Sequence, residues 1–299
     1  MFHKILIFLA GCSYGLIAIF LKKAYAAGYT VNEVLGAQAC FGLAMLVAVT
    51  CVVVRQKVSI KTALKLMAVG TLNGFAGMSF SESVVLLPAS VSIVIMFQFT
   101  WIGVIIEAIE KRKLPCKKQV SALPVLFIGT IMASGIFSSE PYINLLGFIY
   151  AFTGAVMFAL FIFYSGKVAN AISPLVRSSW IGAGFAITIF LVYKPDFIFT
   201  GVLPDGLFLY GIELGLCAVV LPTIFLAAGV PFVGVGLASI LGSSELPVTV
   251  IGSALFLNES ISFVQWMGVT LILIGIALPQ LSLFTRRTHR GQRTHRGQA

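Results

Sequence analysis

Ten continuous apolar stretches alternate with short polar segments along the chain. At a rise of about 1.5 Å per residue, a helix of about 20 residues crosses a hydrocarbon core of roughly 30 Å, and each stretch is close to that length. Strands of a membrane barrel are short and alternate apolar with polar positions, whereas these stretches are unbroken. The pattern therefore predicts an all-α integral membrane protein with ten transmembrane helices. The stretches cover residues 5–21, 33–54, 65–87, 89–109, 119–137, 143–164, 174–193, 207–229, 233–257 and 262–284.

The composition supports a membrane protein. Of the 299 residues, 59% are hydrophobic and 10% are charged, and the mean hydropathy is +1.04. Soluble proteins carry charge on about a quarter of their residues. The five cysteines show no paired spacing and lie mostly in apolar stretches, so we interpret them as small packing residues.

The basic residues indicate the orientation of the helices. Lys and Arg outnumber Asp and Glu by 20 to 10, and they lie mainly in the gaps between apolar stretches. An amino terminus in the cytoplasm puts 17 of the 20 on the cytoplasmic side, Lys167 and Arg177 among them. This distribution predicts a multi-pass protein of the plasma (inner) membrane with both termini cytoplasmic. Lys22 and Lys23 follow the first stretch, which favours a retained helix over a cleaved signal peptide.

Two of the predicted helices, the fourth and the ninth, are similar in sequence. Residues 86–109 align with residues 233–256 at an offset of 147, which pairs Gln98 with Glu245. Transporters are often built from two related halves, and halves with an odd number of helices have opposite orientations.

The predicted organisation follows from this similarity. A first five-helix repeat covers residues 1–140, and an inverted second five-helix repeat covers residues 141–285. Residues 286–299 contain the sequence RTHRGQ twice. A repeat this polar and basic cannot form a hydrophobic core. It therefore predicts a disordered basic cytoplasmic tail.

Three acidic residues, Glu82, Glu213 and Glu245, lie inside predicted helices and away from their ends. Glu245 is near the middle of the ninth helix, beside Ser243 and Ser244 and close to a proline. A carboxylate at that depth costs roughly 2.5–3.5 kcal/mol on insertion and is tolerated where it faces protein or a wet cavity. All three are candidate proton-coupling groups, and Glu245 is also a candidate ligand for an amine. The alternative is a protonated glutamate that only forms hydrogen bonds between helices.

Aromatic and polar residues of other helices complete a candidate substrate site. Gln98 and Trp101 are three residues apart and share one face of the fourth helix. A cavity with these two residues and a glutamate opposite them suits an amphipathic solute with an amine and an apolar body. Asn73 lies among glycines whose spacing is also typical of close helix packing. The candidate substrate-binding residues are Gln98, Trp101, Ser243, Ser244, Glu245, Phe97, Asn73 and Tyr14.

The last third of the chain resembles the EamA family of the drug/metabolite transporter superfamily. The features that carry the resemblance are Glu245 and Pro247, Asn258-Glu259, Gln265-Trp266-Met267-Gly268 and Gly275. The resemblance implies ten helices in two halves around a central cavity, and a metabolite carrier that is often an exporter. The first half departs from the family pattern, because Gln98-Phe99-Thr100 stand where Glu-Pro-like residues are frequent.

We therefore expect a secondary transporter that moves a small amphipathic metabolite, such as an amino acid or a related compound, outward by alternating access. The alternatives are a facilitative channel-like pore and, at lower rank, a membrane-embedded enzyme. The chain has no HExxH or GxxxxGK[ST] motif and its three histidines are terminal, so no catalytic residue, cofactor or metal is predicted. The expected partners are the lipid bilayer, a small-molecule substrate and protons, without nucleic acid. Ten helices can enclose a cavity in one chain, so no oligomer is required.

Overall fold

The computed structural model of the chain describes residues 1–54, 56–87, 89–134, 144–199, 201–257 and 261–279. Over these ranges the regular structure is helical, without strands. Thirteen α-helices are present there: α1 (Phe2–Ala26), α2 (Val31–Val53), α3 (Ile60–Leu86), α4 (Ala89–Met96), α5 (Phe99–Lys111), α6 (Lys117–Ala133), α7 (Leu145–Ser165), α8 (Pro174–Val192), α9 (Phe208–Leu214), α10 (Leu221–Val233), α11 (Val235–Gly242), α12 (Glu245–Phe256) and α13 (Phe263–Ala277).

Three short helical segments of other types lie among the described residues between α8 and α10. A 3-10 turn covers Asp196–Ile198, and π-helical segments at Leu203–Leu207 and Gly215–Val220 flank α9. The predicted repeat boundary at residue 140, Asn258-Glu259 and the tail over residues 286–299 lie outside the described residues.

The helices follow the predicted apolar stretches in order. Seven helical segments of the described chain are long and apolar enough to cross a membrane, and α13 is a shorter apolar helix. The seven are Phe2–Ala26, Val31–Val53, Val91–Lys111, Leu145–Ser165, Pro174–Val192, Leu203–Val233 and Val235–Phe256. The prediction of an all-helical, multi-pass membrane protein is thus confirmed. The number of ten transmembrane helices remains a prediction, because α3 and α6 fall outside this set.

Helices of the first half pack mainly on helices of the second half. Helix α1 lies against α10 and α12, α3 against α7 and α8, and α2 against α8 and α9. Helix α5 packs on α11 and on α7, and α6 packs on α13. These pairs are symmetric with respect to the two halves of the chain. If each of the first five predicted spans is exchanged with the span five places later, every pair becomes itself or another observed pair. For example, α1–α10 becomes α7–α3, and α1–α12 becomes α7–α5. This exchange symmetry is consistent with two related halves, which remain a prediction.

The fourth and ninth spans are interrupted at corresponding places. Each consists of an eight-residue helix, a two-residue turn and a second helix, with the turns at residues 97–98 and 243–244. The turns correspond at an offset of 146 residues, one fewer than the sequence alignment predicts. This register aligns Phe99, rather than Gln98, with Glu245.

The two breaks have different local causes. In the ninth span, Pro247 has no N–H to donate to the Ser243 carbonyl, and Leu246 N donates to that oxygen instead at 3.4 Å. The fourth span has no proline at the matching place. There the side-chain amide of Gln98 donates to the carbonyl oxygen of Val94 at 2.9 Å and competes with the backbone for that acceptor.

Glycines lie where helices of the two halves approach most closely. A Cβ atom at Gly70 would overlap the carbonyl oxygen of Ile181, and one at Gly74 would lie 2.9 Å from Cβ of Thr188. A Cβ atom at Gly215 would likewise lie 2.7 Å from the backbone nitrogen of Gly42. The glycine pairs therefore serve helix packing.

Arg177 is fully buried near the start of α8, although the charge count places it at the cytoplasmic surface. Its guanidinium donates to the carbonyl oxygen of Ala227 at 3.0 Å and to that of Ser165. The Ala227 carbonyl lacks its usual helical donor because Pro231, four residues later, has no N–H. Arg177 thus joins α7, α8 and α10 at a proline-induced gap in the hydrogen bonding of α10.

Arg177→Met should destabilise the protein strongly. The change leaves two buried carbonyls without a charged donor, and each hydrogen bond to a charged group contributes roughly 1.5–3 kcal/mol. We expect the unfolding temperature of the purified protein in detergent, followed by circular dichroism, to fall by several degrees. Lys117→Met, at the exposed start of α6, is the control and should leave that temperature nearly unchanged. Equal unfolding temperatures of the two variants would contradict a structural role for Arg177.

Candidate functional site

A small cavity lies where α1 of the first half meets α7, α10, α11 and α12 of the second half. The space between its walls, counted together with its open side, is about 250 Å³, and in this conformation it has room for about one water molecule. The wall is apolar except for one carboxyl group and one phenol, a composition typical of sites for small molecules. The lining residues are Ile7, Ala10, Gly11, Tyr14, Phe158, Ile162, Leu226, Ala238, Gly242 and Glu245.

The break in the ninth span places Glu245 at this cavity. Glu245 is the first residue of α12, directly after the two-residue turn, and its side chain lines the cavity. Helix α1 holds the turn in position through two hydrogen bonds. Ser244 Oγ donates to the carbonyl oxygen of Phe8 at 2.8 Å, and Thr249 Oγ1 donates to that of Gly15 at 3.0 Å. These bonds determine the direction in which the carboxyl group points.

Two glycines of α1 make the close contact with the turn possible. A Cβ atom at Gly11 would lie 2.6 Å from the carbonyl oxygen of Gly242, and one at Gly15 would lie 2.8 Å from Cβ of Val248. Both distances are too short for non-bonded carbon contacts. Side chains at these two positions would therefore push α1 away from the turn that carries the glutamate.

Aromatic side chains form the wall beside Glu245. Tyr14 contacts Phe158 edge to face, with ring centroids 5.5 Å apart, and Phe158 contacts Phe99 in the same way at 4.9 Å. The Tyr14 hydroxyl is buried and forms no well-aligned hydrogen bond with the described residues, although the Asn73 side chain lies within hydrogen-bonding reach and Glu245 is close enough to interact with it. A phenol in this position beside a carboxyl group can exchange so weak a contact for one with a polar ligand atom.

Gln98 and Trp101 lie in a different cavity from Glu245, so the single cavity expected from the sequence is not what the structure shows. Trp101 Nε1 donates to Gln98 Oε1 at 2.6 Å, as their shared helix face predicts. The turn at residues 97–98 directs both side chains toward α6. The second cavity is similarly narrow, and it is lined by Phe97, Gln98, Thr100, Trp101, Leu123, Leu126, Phe127 and Thr130.

Of the aromatic residues at the central cavity, Tyr14 was predicted. Phe158, which lines the cavity, and Phe99, which contacts Phe158, were not. Phe158 is one of 25 phenylalanines, and no feature of the sequence separates it from those that only pack or face lipid. The corrected offset of 146 would have pointed to Phe99.

The other predicted polar residues are distributed over the fold. Asn73 is buried on α3, and Ser243 Oγ is buried without a hydrogen-bond partner in the described chain. Glu82 accepts a hydrogen bond from Tyr193 Oη at 2.6 Å at the far ends of α3 and α8. Glu213 is exposed on the outer surface of α9, away from both cavities.

The described residues that line the central cavity include one acidic residue and no basic residue. Among its lining residues the single ionisable acid is Glu245, and none is Lys, Arg or His. The described residues contain no group of three or more His, Cys, Asp or Glu placed to hold a metal ion. The site can therefore bind an amine or a proton at one carboxyl group, with aromatic and aliphatic side chains around an apolar body.

Comparisons with known proteins agree with this arrangement. Residues 145–279 match the EamA-like transporter family, which confirms the resemblance predicted from the sequence. No curated protein matches the chain. Chains of solved structures do match, 29 in number. One of them, described only as the crystal structure of a protein, has a TM-score of 0.75 and 14% identity and covers 93% of this chain and 98% of its own length. At that identity the match shows a shared fold alone.

Proposed function

Since residues 145–279 match the family of EamA-like transporters, we propose that the protein is a secondary transporter of a small amphipathic metabolite that carries an amine. The observation behind this proposal is Glu245, a carboxyl group at a broken helix in the wall of a cavity between the two halves. Amino acids and related compounds are the substrate class we propose, and the direction is outward, as the family resemblance implies.

The side chains around the cavity have distinct proposed roles. Glu245 binds the substrate amine, and a proton replaces the amine when the substrate leaves, because a buried carboxylate requires a compensating positive charge. Tyr14 offers a hydroxyl to a polar substrate atom, and Phe158 and Phe99 contact the apolar part. Gln98 and Trp101, in the neighbouring cavity, would stabilise the break of the fourth span rather than contact the same ligand.

The proposed movement is alternating access between two five-helix halves. The exchange symmetry of the helix pairs and the matching breaks of the fourth and ninth spans support two inverted repeats. Rocking of one half on the other would open the cavity first to one side and then to the other. The bias of Lys and Arg supports a plasma-membrane protein with cytoplasmic termini.

Counterflow in proteoliposomes tests this function. Vesicles that contain the purified protein are preloaded with one unlabelled amino acid or amine, and uptake of the same labelled compound is measured over a panel of such solutes. We expect saturable uptake of a small subset, accelerated several-fold by preloading, because a carrier returns faster when loaded on both sides.

The alternatives give different results in the same vesicles. A channel-like pore produces flux that neither saturates nor accelerates with preloading. An enzyme produces a chemically altered compound, which mass spectrometry of the vesicle contents detects. Protein-free vesicles measure passive leakage of each solute.

A further inference from the structure

Glu107 connects the two halves at one end of the bundle. It is buried near the end of α5, and its Oε2 accepts a hydrogen bond from the backbone N–H of Gly236 in α11 at 2.7 Å. Lys111 donates to its Oε1, and the Gln119 amide lies 3.4 Å from Oε2. This carboxylate thus has a backbone partner in the second half and a cationic and an amide partner in the first half.

The start of α11 is shaped to receive this carboxylate. The first N–H groups of a helix have no partner within it and favour negative charge. Gly234 has φ of +85°, and a Cβ atom at either Gly234 or Gly236 would overlap a carboxylate oxygen of Glu107. A little further along, Gly103 of α5 sits against Ser239 of α11, where a Cβ atom would lie 2.9 Å from the Ser239 Cβ. The fourth and ninth spans are therefore closely joined at this end.

This is the end that carries the amino terminus. His3 at the start of α1 stacks on Phe232 with ring centroids 4.0 Å apart, two residues before Gly234. A surface ion pair between Glu110 and Lys167 joins α5 to the segment after α7 at the same end. Half-exposed ion pairs contribute little, so the buried contact of Glu107 is the principal polar link between the fourth and ninth spans here.

The ninth span has no carboxylate at the position that corresponds to Glu107. At the offset of 146 residues that position is Ser253, which has no charge. At the opposite end, the hydrogen bond from Tyr193 to Glu82 joins α8 and α3. A hydrogen bond to a carboxylate is charge-assisted at either end, but Glu107 is buried and has three described partners, whereas the described chain gives Glu82 one.

We propose that Glu107 is a clasp that keeps the amino-terminal end of the bundle closed in the resting protein. The clasp consists of the Glu107 carboxylate on the backbone of Gly234–Gly236, supported by Lys111 and Gln119. This inference rests on the proposed alternating access. Opening toward the amino-terminal end requires the carboxylate to leave the helix start, and substrate binding at Glu245 would have to supply that free energy.

Access of a thiol reagent to the central cavity tests the clasp. The full chain with its five cysteines replaced by serine receives one reporter, Leu226→Cys, in the lining of the cavity. A membrane-impermeant maleimide is added to either side of oriented vesicles, without substrate, and the labelling rate is measured. We expect Glu107→Gln to raise the rate from the amino-terminal side by about tenfold or more, since a charged hydrogen bond is lost from the closed state, with no increase from the other side.

A second variant and a control complete the experiment. Gly236→Ala should have the same effect without altering Glu107, because its Cβ atom displaces the carboxylate. If Glu107→Gln does not fold, this variant tests the clasp instead. Glu213→Gln removes an exposed carboxyl group remote from the cavity and should change neither rate. Unchanged rates in folded clasp variants, or equal increases from both sides, overturn the proposal.

The outcome is independent of the substrate. Labelling reports which side of the cavity is open even when no transported compound has been found. A one-sided increase together with absent counterflow would preserve the clasp and count against the proposed transport function. Normal counterflow with unchanged labelling would preserve the transport function and count against the clasp.

Discussion

Glu245→Gln should abolish the response of transport to a pH gradient and weaken the apparent affinity for an amine substrate by about two orders of magnitude. Removing one partner of a buried charge pair costs roughly 2–5 kcal/mol, and each 1.4 kcal/mol is a factor of ten. Glutamine has nearly the shape of glutamate, so the cavity keeps its form while losing the group that exchanges amine for proton. The measurement is initial uptake into proteoliposomes at several substrate concentrations, with and without the gradient.

The structure supplies a matched control for this variant. Glu213→Gln makes the same chemical change in another helix of the second half, but on the exposed outer surface of α9. It should retain both the affinity and the response to the gradient. Uptake by Glu245→Gln that keeps both properties would reduce Glu245 to a residue that only forms hydrogen bonds between helices. Thermal unfolding of both variants shows whether a loss of uptake reflects loss of the fold.

The second large effect is expected at a residue without a side chain. Gly11→Ala should strongly reduce transport and lower the unfolding temperature, because its Cβ atom would meet the Gly242 carbonyl oxygen at 2.6 Å and overlap Ser244 Oγ. Overpacking of this kind costs roughly 1–3 kcal/mol, and here the strain falls on the turn that orients Glu245. Thermal unfolding in detergent and counterflow in proteoliposomes measure the two effects.

Gly77→Ala is the control for this substitution. Gly77 also lies inside a helix, but a Cβ atom there would meet only Phe185 Cε2, at 4.0 Å. Alanine favours the helical conformation by about 1 kcal/mol over glycine, so this variant should be as stable as the parent or slightly more stable. If the two alanine variants behave alike, the contact between α1 and the broken ninth span is not critical for the site.

The sequence determined where the helices lie, because the hydropathy of a segment is a local property of the chain. Every backbone polar group in a bilayer must be satisfied within its own segment, so a long apolar stretch has few structures available. For the same reason, Glu245 close to a proline in one apolar stretch indicated a side chain that faces protein or a wet cavity. In the structure Glu245 follows a turn and lines a cavity, while its chemical role remains a proposal.

The neighbours of Glu245 depended on register. A helix rotates by about 100° per residue, so an error of one residue between the fourth and ninth spans turns a different face toward the cavity. The alignment of apolar segments could not distinguish an offset of 147 from one of 146. The structure thus brings Phe99 against Phe158, which lines the same cavity as Glu245, and places Gln98 and Trp101 in a separate cavity beside α6.

Arg177 and Glu107 show what only the tertiary structure decided. Both are charged residues near helix ends, where the sequence pattern predicts contact with water. Arg177 is buried instead because Pro231, 54 positions later, leaves a carbonyl without a donor near it, and Glu107 is buried because the start of α11 presents a free N–H at Gly236. Hydropathy along the chain records how apolar a segment is. It does not record which backbone groups, more than a hundred residues away in the case of Glu107, will need a partner once the helices have packed.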